Sequence, residues 1–468
     1  MGWNVCIQFT AEARYWRDQL MEHEISRREF LKRSVSAGAI GLSASMYPGF
    51  NLFSAPLEEV RLGFIGVGGQ GTGLLRMCLT MDDVEVPAVC DIDEEALQRA
   101  QSLVEKSGRN RPEGYSKDEY DYKNLVVRDD LDGIIIATPW VWHTPMAVDT
   151  MRAGKYCAPE VWGAASVDEV WQLVKASEET GMPCMMLENH CYDRDSMAVL
   201  NMVRRGLFGD LIHCQCGYQH DLRGVKFRPG VQFGEGAQGE ARWRTEHSIK
   251  RNGDLYPTHG IGPIANCLDI DRGNRFVTLT ATATKSRGLH QYIVDQEGEE
   301  HPYADIKFAL GDIVTTVIKC ANGETVVINH DTNLPRPYSN MYRVQGTKGL
   351  WMEDNMSIYL EGISPEHEWE PFDSYMQKYE HPLWKNFLQE GVRGGHGGAG
   401  YLKTRAFVEC VKRQIPTPID VYDTASWVVI SPLTEYSVAM GSEPVEFPDF
   451  TAGRWMRRKP IFGLTGEY

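Results

Sequence analysis

The chain of 468 residues reads as a doubly wound parallel α/β sheet followed by an α+β unit with a mostly antiparallel, open sheet. Three observations point there. An apolar run opens into a glycine-rich turn and a helix. Strand and helix patterns then alternate to about residue 190. Beyond that the texture changes to strands of alternating polarity joined by tight turns.

The first element is RLGFIG from Arg61, a short apolar run bounded by glycine, which is the pattern of a buried strand. GVGGQG follows and matches G-x-G-x-x-G with Gly66, Gly68 and Gly71. TGLLRMCLTM has helical spacing. VEVPAVCDI is a second strand and ends in Asp91, twenty residues after Gly71. Strand, glycine turn, helix, strand and acid in that order form a dinucleotide-binding fingerprint. Gly66 permits the tight turn, Gly68 lets the backbone approach a pyrophosphate, and Gly71 lets helix pack on strand. The helix N-terminus offers free N–H groups to the phosphates. Asp91 accepts from ribose hydroxyls and repels a 2′-phosphate, which favours NAD over NADP.

The alternation continues through IIIATP, MAVDTMRAGKYC, a strand reaching APEVWG, the helix VDEVWQLVKASEETG and a further strand, MPCMMLENHCY. Ligands of such sheets sit at the carboxyl ends of strands. Those ends carry Thr138, Pro139, Trp140, His143, Glu160, Asn189 and Tyr192. In the second unit, IHCQCGYQHD and FVTLTATATK alternate, and DIVTTVIKCANGETVVINHD is two β-rich runs joined by Asn322-Gly323, a hairpin signal. MYRVQGTKGLWMED reads as another strand pair. Residues 221–262 are read as a long functional loop, rich in Gly, Arg, Trp and His. The divisions are therefore 1–55 as signal region and linker, 58–190 as the NAD-binding Rossmann domain, and 191–468 as the substrate and oligomerisation domain. A C-terminal helix returning to the first domain is compatible with this.

Composition narrows the class. Hydrophobic content of 42% and charged content of 24% suit a soluble enzyme. A net charge of -16 argues against nucleic acid and against an anionic membrane surface. The 11 cysteines lack C-x-x-C spacing and read as small buried hydrophobes without a disulfide framework. No pair among the 13 histidines has metal-ligand spacing, so no metal is expected. SRREFLKRS at 26–34, followed by the weakly apolar VSAGAIGLSAS, resembles a twin-arginine export signal and is too short to span a bilayer. Periplasmic or secreted location is the expectation, with Met21 a more natural start than Met1.

The two-unit plan resembles the glucose-fructose oxidoreductase and inositol dehydrogenase superfamily. Longer motifs resemble one branch of it: ATPWVWHTPMAVD, LENHCYDRDSMAVLNMVRRGLFGDL, YQHDLRGVKF, WRTEHSIKRNGDLYPTHGIGP, HPYADIKFALGD, and HDTNLPRPYS with QGTKG. From about residue 60 to the C-terminus they resemble glycoside hydrolase family 109, whose known activity is α-N-acetylgalactosaminidase. There are departures. Glu160-Val161-Trp162 stands where the superfamily has E-K-P and the branch E-V-P, so the lysine of the superfamily motif is absent. Gly69-Gln70 replaces the branch's usual Asn-Arg pair, and RPGVQFGEGAQGEA is longer than usual.

The resemblance implies glycoside cleavage by transient oxidation. NAD takes hydride from C3 of the sugar, a base removes the acidified C2 proton, and the glycosidic oxygen leaves by elimination. Water then adds and the hydride returns, so the coenzyme is regenerated in each turnover. Such chemistry needs acids, bases and enolate-stabilising donors. Tyr256 and His259 of the YPTH segment, Tyr192 and Glu160 are the catalytic candidates. Gly66, Gly68, Gly69, Gln70, Gly71, Asp91, Trp140, His143, Glu160, Val161 and Asn189 are expected to line NAD. Tyr218, Arg244, Tyr256, Pro257, Thr258, His259 and Tyr338 are expected to hold the sugar. Acid and base roles stay open at this point, as do sugar, anomer and linkage. A homodimer also stays open, since this fold commonly pairs through its open sheet. Two alternatives remain: an NAD-dependent sugar oxidoreductase that makes a keto sugar without bond cleavage, and an exported sugar-binding protein without catalysis.

Overall fold

The computed structural model describes residues 55–468 except 231 and 235; the SRREFLKRS stretch read as an export signal lies outside the described residues. The first sheet has strand order β3-β2-β1-β4-β5, all parallel, from β1 (Val60–Ile65), β2 (Val84–Cys90), β3 (Glu113–Tyr115), β4 (Gly133–Ile136) and β5 (Tyr156–Pro159). Helices Gly69–Cys78, Glu94–Lys106, Tyr122–Val126 and His143–Arg152 are the crossovers, and Val167–Thr180 follows β5. β4 reads GIII and is buried throughout, as a strand covered on both faces must be.

The register places the ends of the central strands level. Ile65 pairs with Cys90 and with Ile136, which pairs with Pro159. The residue after each strand therefore falls on one rim. Gly66 N donates to Cys90 O, Ala137 N to Ile65 O, and Glu160 N to Ile136 O, each at 2.8 Å. Asp91, Ala137 and Glu160 thus reach the rim by backbone pairing, before any side chain acts.

One expected strand is only partly formed. The MPCMMLENHCY segment pairs with β5 through Met185 N to Cys157 O (2.8 Å) and Leu187 N to Pro159 O (2.9 Å), and leaves the ladder at Glu188. A 3₁₀ turn, Asn189–Tyr192, follows at once.

The second sheet has nine strands in the order β13-β12-β11-β10-β6-β9-β8-β7-β14. They are β6 (Leu211–Gln219), β7 (Phe276–Ala283), β8 (Ile313–Cys320), β9 (Thr325–Asp331), β10 (Arg343–Gly346), β11 (Gly349–Met352), β12 (Ser357–Leu360), β13 (Glu370–Pro371) and β14 (Val445–Glu446). β6 and β9 run parallel; the other pairings are antiparallel. β8 alternates buried and exposed residues, as a sheet with one wet face should. The turn before β9 spans residues 321–324, with Gly323 alone at positive φ, +103°.

Residues 221–262, expected as a long loop, carry helices Arg223–Lys226 and Arg244–Lys250 and the start of Thr258–Cys267. The last of these seats directly on the sheet. A Cβ at Gly260 would lie 2.7 Å from Gly217 N of β6, and one at Gly262 would lie 3.1 Å from Glu188 Cγ. Those glycines allow the approach that brings His259 to Glu188.

The C-terminal helix Ala399–Arg413 packs back on the first sheet: Phe407 lies against Gly133 of β4, and Arg405 and Lys412 pair with Asp83. The ten described cysteines are buried and unbridged. Among the described residues no helix is long and apolar enough to cross a membrane.

Candidate active site

The glycine turn divides its labour as the spacing predicts. Gly66 sits at φ +84°, and a Cβ there would meet Ala137 and Thr138 backbone at 2.7–2.8 Å. A Cβ at Gly71 would lie 1.9 Å from Gly66 O, so this glycine lets the helix close on the strand. Gly68 and Gly69 have nothing within 4 Å where a Cβ would stand. They front open space at a helix N-terminus without a side-chain cap, which is the shape a pyrophosphate needs. Asp91 is held at the rim: Oδ2 accepts from Val67 N at 2.8 Å and Oδ1 from Asp93 N at 2.9 Å. Asn189 is buried, and its Nδ2 has no hydrogen-bond partner within the protein. A buried donor without a partner carries a cost unless a ligand answers it. These residues fit a dinucleotide.

Glu160 stands between this turn and the C-terminal helix. Its Oε1 accepts from Lys403 Nζ at 2.6 Å and from Gln70 Nε2 at 3.2 Å. Lys403 also donates to Leu187 O at 2.7 Å. Burial pushes the Glu160 carboxyl up, but the Lys403 ammonium outweighs it and holds the group below the usual carboxylate range. Val161, the next residue, is buried beside it. His143 is buried, with Nε2 2.8 Å from Thr138 O and its ring edge-on to Trp162 at 5.2 Å. Burial lowers its pKa to about 4, so it is a neutral fixture of the rim.

A second cluster faces this rim from the other domain. Tyr256 stacks on Trp140 (5.3 Å, 25° between planes), meets Tyr218 at 4.6 Å, and meets His259 edge-on at 4.9 Å. Trp140 was expected to line the nucleotide; its ring is engaged with Tyr256, Trp243 and His247, so it forms the seam between the two clusters. The Arg244 guanidinium lies over Trp140 (4.7 Å) and Tyr256 (5.2 Å) and pairs with Glu240. Tyr338 closes the other side. Its ring lies 6.1 Å from Tyr218 and its Oη 2.9 Å from His190 Nε2. Pro257 and Thr258 are buried and start the helix that carries His259.

His259 Nδ1 donates to Glu188, at 2.8 Å to Oε1 and 3.0 Å to Oε2. Glu188 is fully buried; burial alone raises its pKa, but His259 and His190 draw it down to about 2. At His259, burial prevails and keeps the imidazole below its ordinary value. A neutral His259 with its Nδ1 proton committed to Glu188 presents an unprotonated Nε2, the form of a base. Burial lifts the Tyr218 phenol to about 12 and that of Tyr256 well above its normal value, so both rest as hydroxyls.

Of the expected catalytic residues, the structure brings Tyr256 and His259 together and leaves Tyr192 out. Tyr192 packs edge-on against Phe462 at 5.1 Å, its hydroxyl buried without a partner, while its backbone carbonyl accepts from Trp384 Nε1 at 2.8 Å. The turn Asn189–Tyr192 rotates it into the core and turns His190 toward the site instead. Sequence reading passed over Glu188, His190 and Lys403. Glu188 and His190 flank the named Asn189 in LENHCY, and a buried acid beside a histidine was the available signal. Lys403 lies 243 residues beyond Glu160, where no local motif could announce it.

A parallel nucleotide-binding sheet facing an aromatic pocket of hydroxyls and an anchored imidazole defines an NAD-dependent enzyme acting on a polar small molecule. Comparisons agree. Residues 60–188 match the model for the oxidoreductase family with an NAD-binding Rossmann fold, and residues 192–457 match that for the glycosyl hydrolase 109 C-terminal domain. A glycosyl hydrolase family 109 protein from Stenotrophomonas maltophilia is 49% identical, over 95% of this chain and 99% of that one. An α-N-acetylgalactosaminidase from Tannerella forsythia is 46% identical, over 94% of this chain and all of that one (100%). Among solved structures, an NAD-binding oxidoreductase from Klebsiella pneumoniae superposes with TM-score 0.63 at 16% identity, over 84% of this chain and 100% of that one. Levoglucosan dehydrogenase in complex with NADH gives 0.60 at 16%, with the same coverage of 84% and 100%. The chain belongs to glycosyl hydrolase family 109: it is a glycoside hydrolase built on an NAD-binding oxidoreductase fold.

Proposed function

We propose that this enzyme hydrolyses α-linked N-acetylgalactosamine glycosides, with NAD as a resident catalyst. The observation that carries the proposal is the state of the buried carboxylates. A conventional glycosidase needs one carboxyl held protonated to protonate the leaving group. Glu188 and Glu160 are instead drawn low, the first hydrogen-bonded to the His259 imidazole and the second ion-paired with Lys403. What faces the pocket is three phenols (Tyr218, Tyr256 and Tyr338), the neutral imidazole of His259 and a guanidinium, a set suited to moving protons on an oxidised sugar. The name carried by the Tannerella forsythia relative supports the sugar.

Gly66 to Gly71, Asp91, Val161 and Asn189 would hold the dinucleotide, with Glu160 fixed by Lys403 and Gln70. NAD, when bound, supplies reversible hydride transfer at the sugar's C3. His259 Nε2 takes a proton from the sugar, with Glu188 stabilising the imidazolium that forms. Tyr256 and Tyr218 donate to oxygens on which charge develops, and Arg244 adds a fixed positive field. The aromatic wall of Trp140 and Tyr256 excludes water.

The test is 4-nitrophenyl α-N-acetylgalactosaminide in heavy water. Nitrophenol release without net NADH, with deuterium entering at C2 of the product, is expected. Release at full speed from nicotinamide-free enzyme, or product without C2 deuterium, would overturn the reading. We further propose export by the twin-arginine route, supported by SRREFLKRS and tested by N-terminal sequencing of secreted material. A homodimer through the open face of the second sheet is proposed with it, and light scattering checks that.

A further inference from the structure

His190 sits between Asp193 and Tyr338, with Asn340 Nδ2 lying 3.3 Å from its Nδ1. Its Nδ1 donates to Asp193 Oδ2 at 2.5 Å, and its Nε2 lies 2.9 Å from Tyr338 Oη. Tyr338 Oη also reaches Asn340 Oδ1 at 3.0 Å. The side chains of Asp193 and His190 are 25% and 13% exposed and Tyr338 is 43% exposed, so His190 is the most buried of the three and Tyr338 the most accessible. The His190 and Tyr338 ring planes are nearly parallel, 18° apart, and the His190 ring meets that of His259 at 4.4 Å. Facing His190 are the carboxylates of Asp193, Glu188 and Glu353 and the imidazoles of His259 and His396.

Two neighbouring histidines therefore have different anchors. Burial lowers both, but at His190 the Asp193 carboxylate outweighs burial and raises the group above its ordinary value, while at His259 burial prevails. Adjacent titratable groups pushed in opposite directions divide naturally into an acid and a base.

We propose that His190 is the proton reservoir of the acid arm: it recharges Tyr338, which protonates the departing glycosidic oxygen, while Asp193 positions His190. This rests on the glycosidase reading above. In the step, the electron pair left on C2 by deprotonation forms the C1–C2 double bond, and the C1–O bond breaks with its pair on the leaving oxygen. That oxygen gains the Tyr338 hydroxyl proton, and Tyr338 Oη gains the Nε2 proton of cationic His190. His190 ends neutral, keeping its Nδ1 proton, which is donated in a hydrogen bond to Asp193. No oxidant or reductant is consumed. Tyr338 needs this support because burial raises its pKa, so it gives up its proton reluctantly unless a second one follows.

The test compares full-length wild type, His190→Gln, Tyr338→Phe and Asp193→Asn on α-N-acetylgalactosaminides with methyl, 4-nitrophenyl and 2,4-dinitrophenyl leaving groups. Loss of an acid arm costs about 10²-fold in kcat on the methyl glycoside. It costs under about 5-fold on the dinitrophenyl one, which departs without a proton. C2 exchange should outrun cleavage in the same variants. In Asp193→Asn, the alkaline limb of the kcat profile should move to lower pH, which decides the matter should His190→Gln fail to fold. Equal losses across all leaving groups, with an unmoved pH profile, would sink the relay. Wild type that cleaves without C2 exchange would sink the glycosidase reading, and the relay with it.

Discussion

Glu188→Gln is the substitution on which the base assignment turns. Glutamine keeps the volume and a hydrogen-bonding group near His259 Nδ1, and removes only the charge. In the wild type the carboxylate accepts the Nδ1 proton at 2.8 and 3.0 Å. Once Nε2 takes a proton from substrate, full charges face each other at that distance. At an effective dielectric of about 20, such a pair attracts by about 6 kcal/mol. A transition state with the proton half transferred realises roughly half of that, about 3 kcal/mol, which is about 10²-fold in rate. A glutamine that donates to Nδ1 selects the wrong tautomer and adds to the loss. The assay is kcat on the 4-nitrophenyl glycoside and the rate of C2 exchange, and both should fall together. Bound nicotinamide and Tm in the same preparation report whether the fold and cofactor site survive. A kcat within about 3-fold of wild type, with normal cofactor content, would refute His259 as the base held by Glu188.

Four further outcomes follow. Lys403→Met strands a buried carboxylate and should cost about 3 kcal/mol or more of stability at pH 7.5; without the ammonium, burial raises the Glu160 pKa in the folded state, so the deficit should shrink as pH falls and Glu160 protonates, and denaturant titrations at two pH values check this. Glu188 gives the wild type an acid limit: its folded pKa of about 2, against the ordinary 4.5, contributes roughly 3 kcal/mol that is present above about pH 4.5 and lost as pH falls toward 2, readable in stability against pH. Gly69→Ala should leave Tm of the nucleotide-free protein within about 2 °C while cutting NAD affinity at least 10-fold, whereas Gly71→Ala, blocked at 1.9 Å, should fail to fold normally; differential scanning calorimetry and nucleotide titration separate them. Tyr192→Phe deletes a buried, unpartnered hydroxyl and should keep kcat within about 2-fold with no loss of stability, whereas Tyr256→Phe should lose at least about 10²-fold.

What could be read from sequence was what local geometry dictates. Gly66, Gly71 and Asp91 are bound to one turn and one rim, so spacing alone located them. Trp140, Glu160 and Asn189 follow strand ends, and rim position follows from pairing. Tyr256 and His259 are three residues apart, and a helix start put both on one pocket. The misreadings share a cause. Tyr192 and His190 occupy one 3₁₀ turn, and a small rotation decides which faces the sugar and which faces Phe462. Lys403 is placed by the docking of the helix Ala399–Arg413, a long-range packing event that leaves no local trace. Val161 stands where the superfamily motif has its lysine, and the ammonium that pairs with Glu160 comes instead from Lys403 on another element.

That substitution bears on how the site avoids ordinary glycosidase chemistry. A carboxylic acid acts as an acid only if its environment keeps it protonated, which takes burial without a cation. Glu160 and Glu188 have the burial, and each has been given a cation or a hydrogen-bonded imidazole that reverses its effect. Both become fixed anions whose use is orientation: one aligns the rim beside the glycine turn, the other selects the tautomer of His259. Proton transfer is then left to groups whose neutral forms are stable in a dry pocket, namely phenols and an imidazole. Such groups act poorly on an unactivated acetal and well on a carbon acid beside a carbonyl. Replacing Lys403 alone by a neutral residue of similar size, which leaves the anionic Glu188 in place, should therefore not create a two-carboxylate glycosidase. It should leave Glu160 protonated and misaligned, with C2 exchange and cleavage lost together.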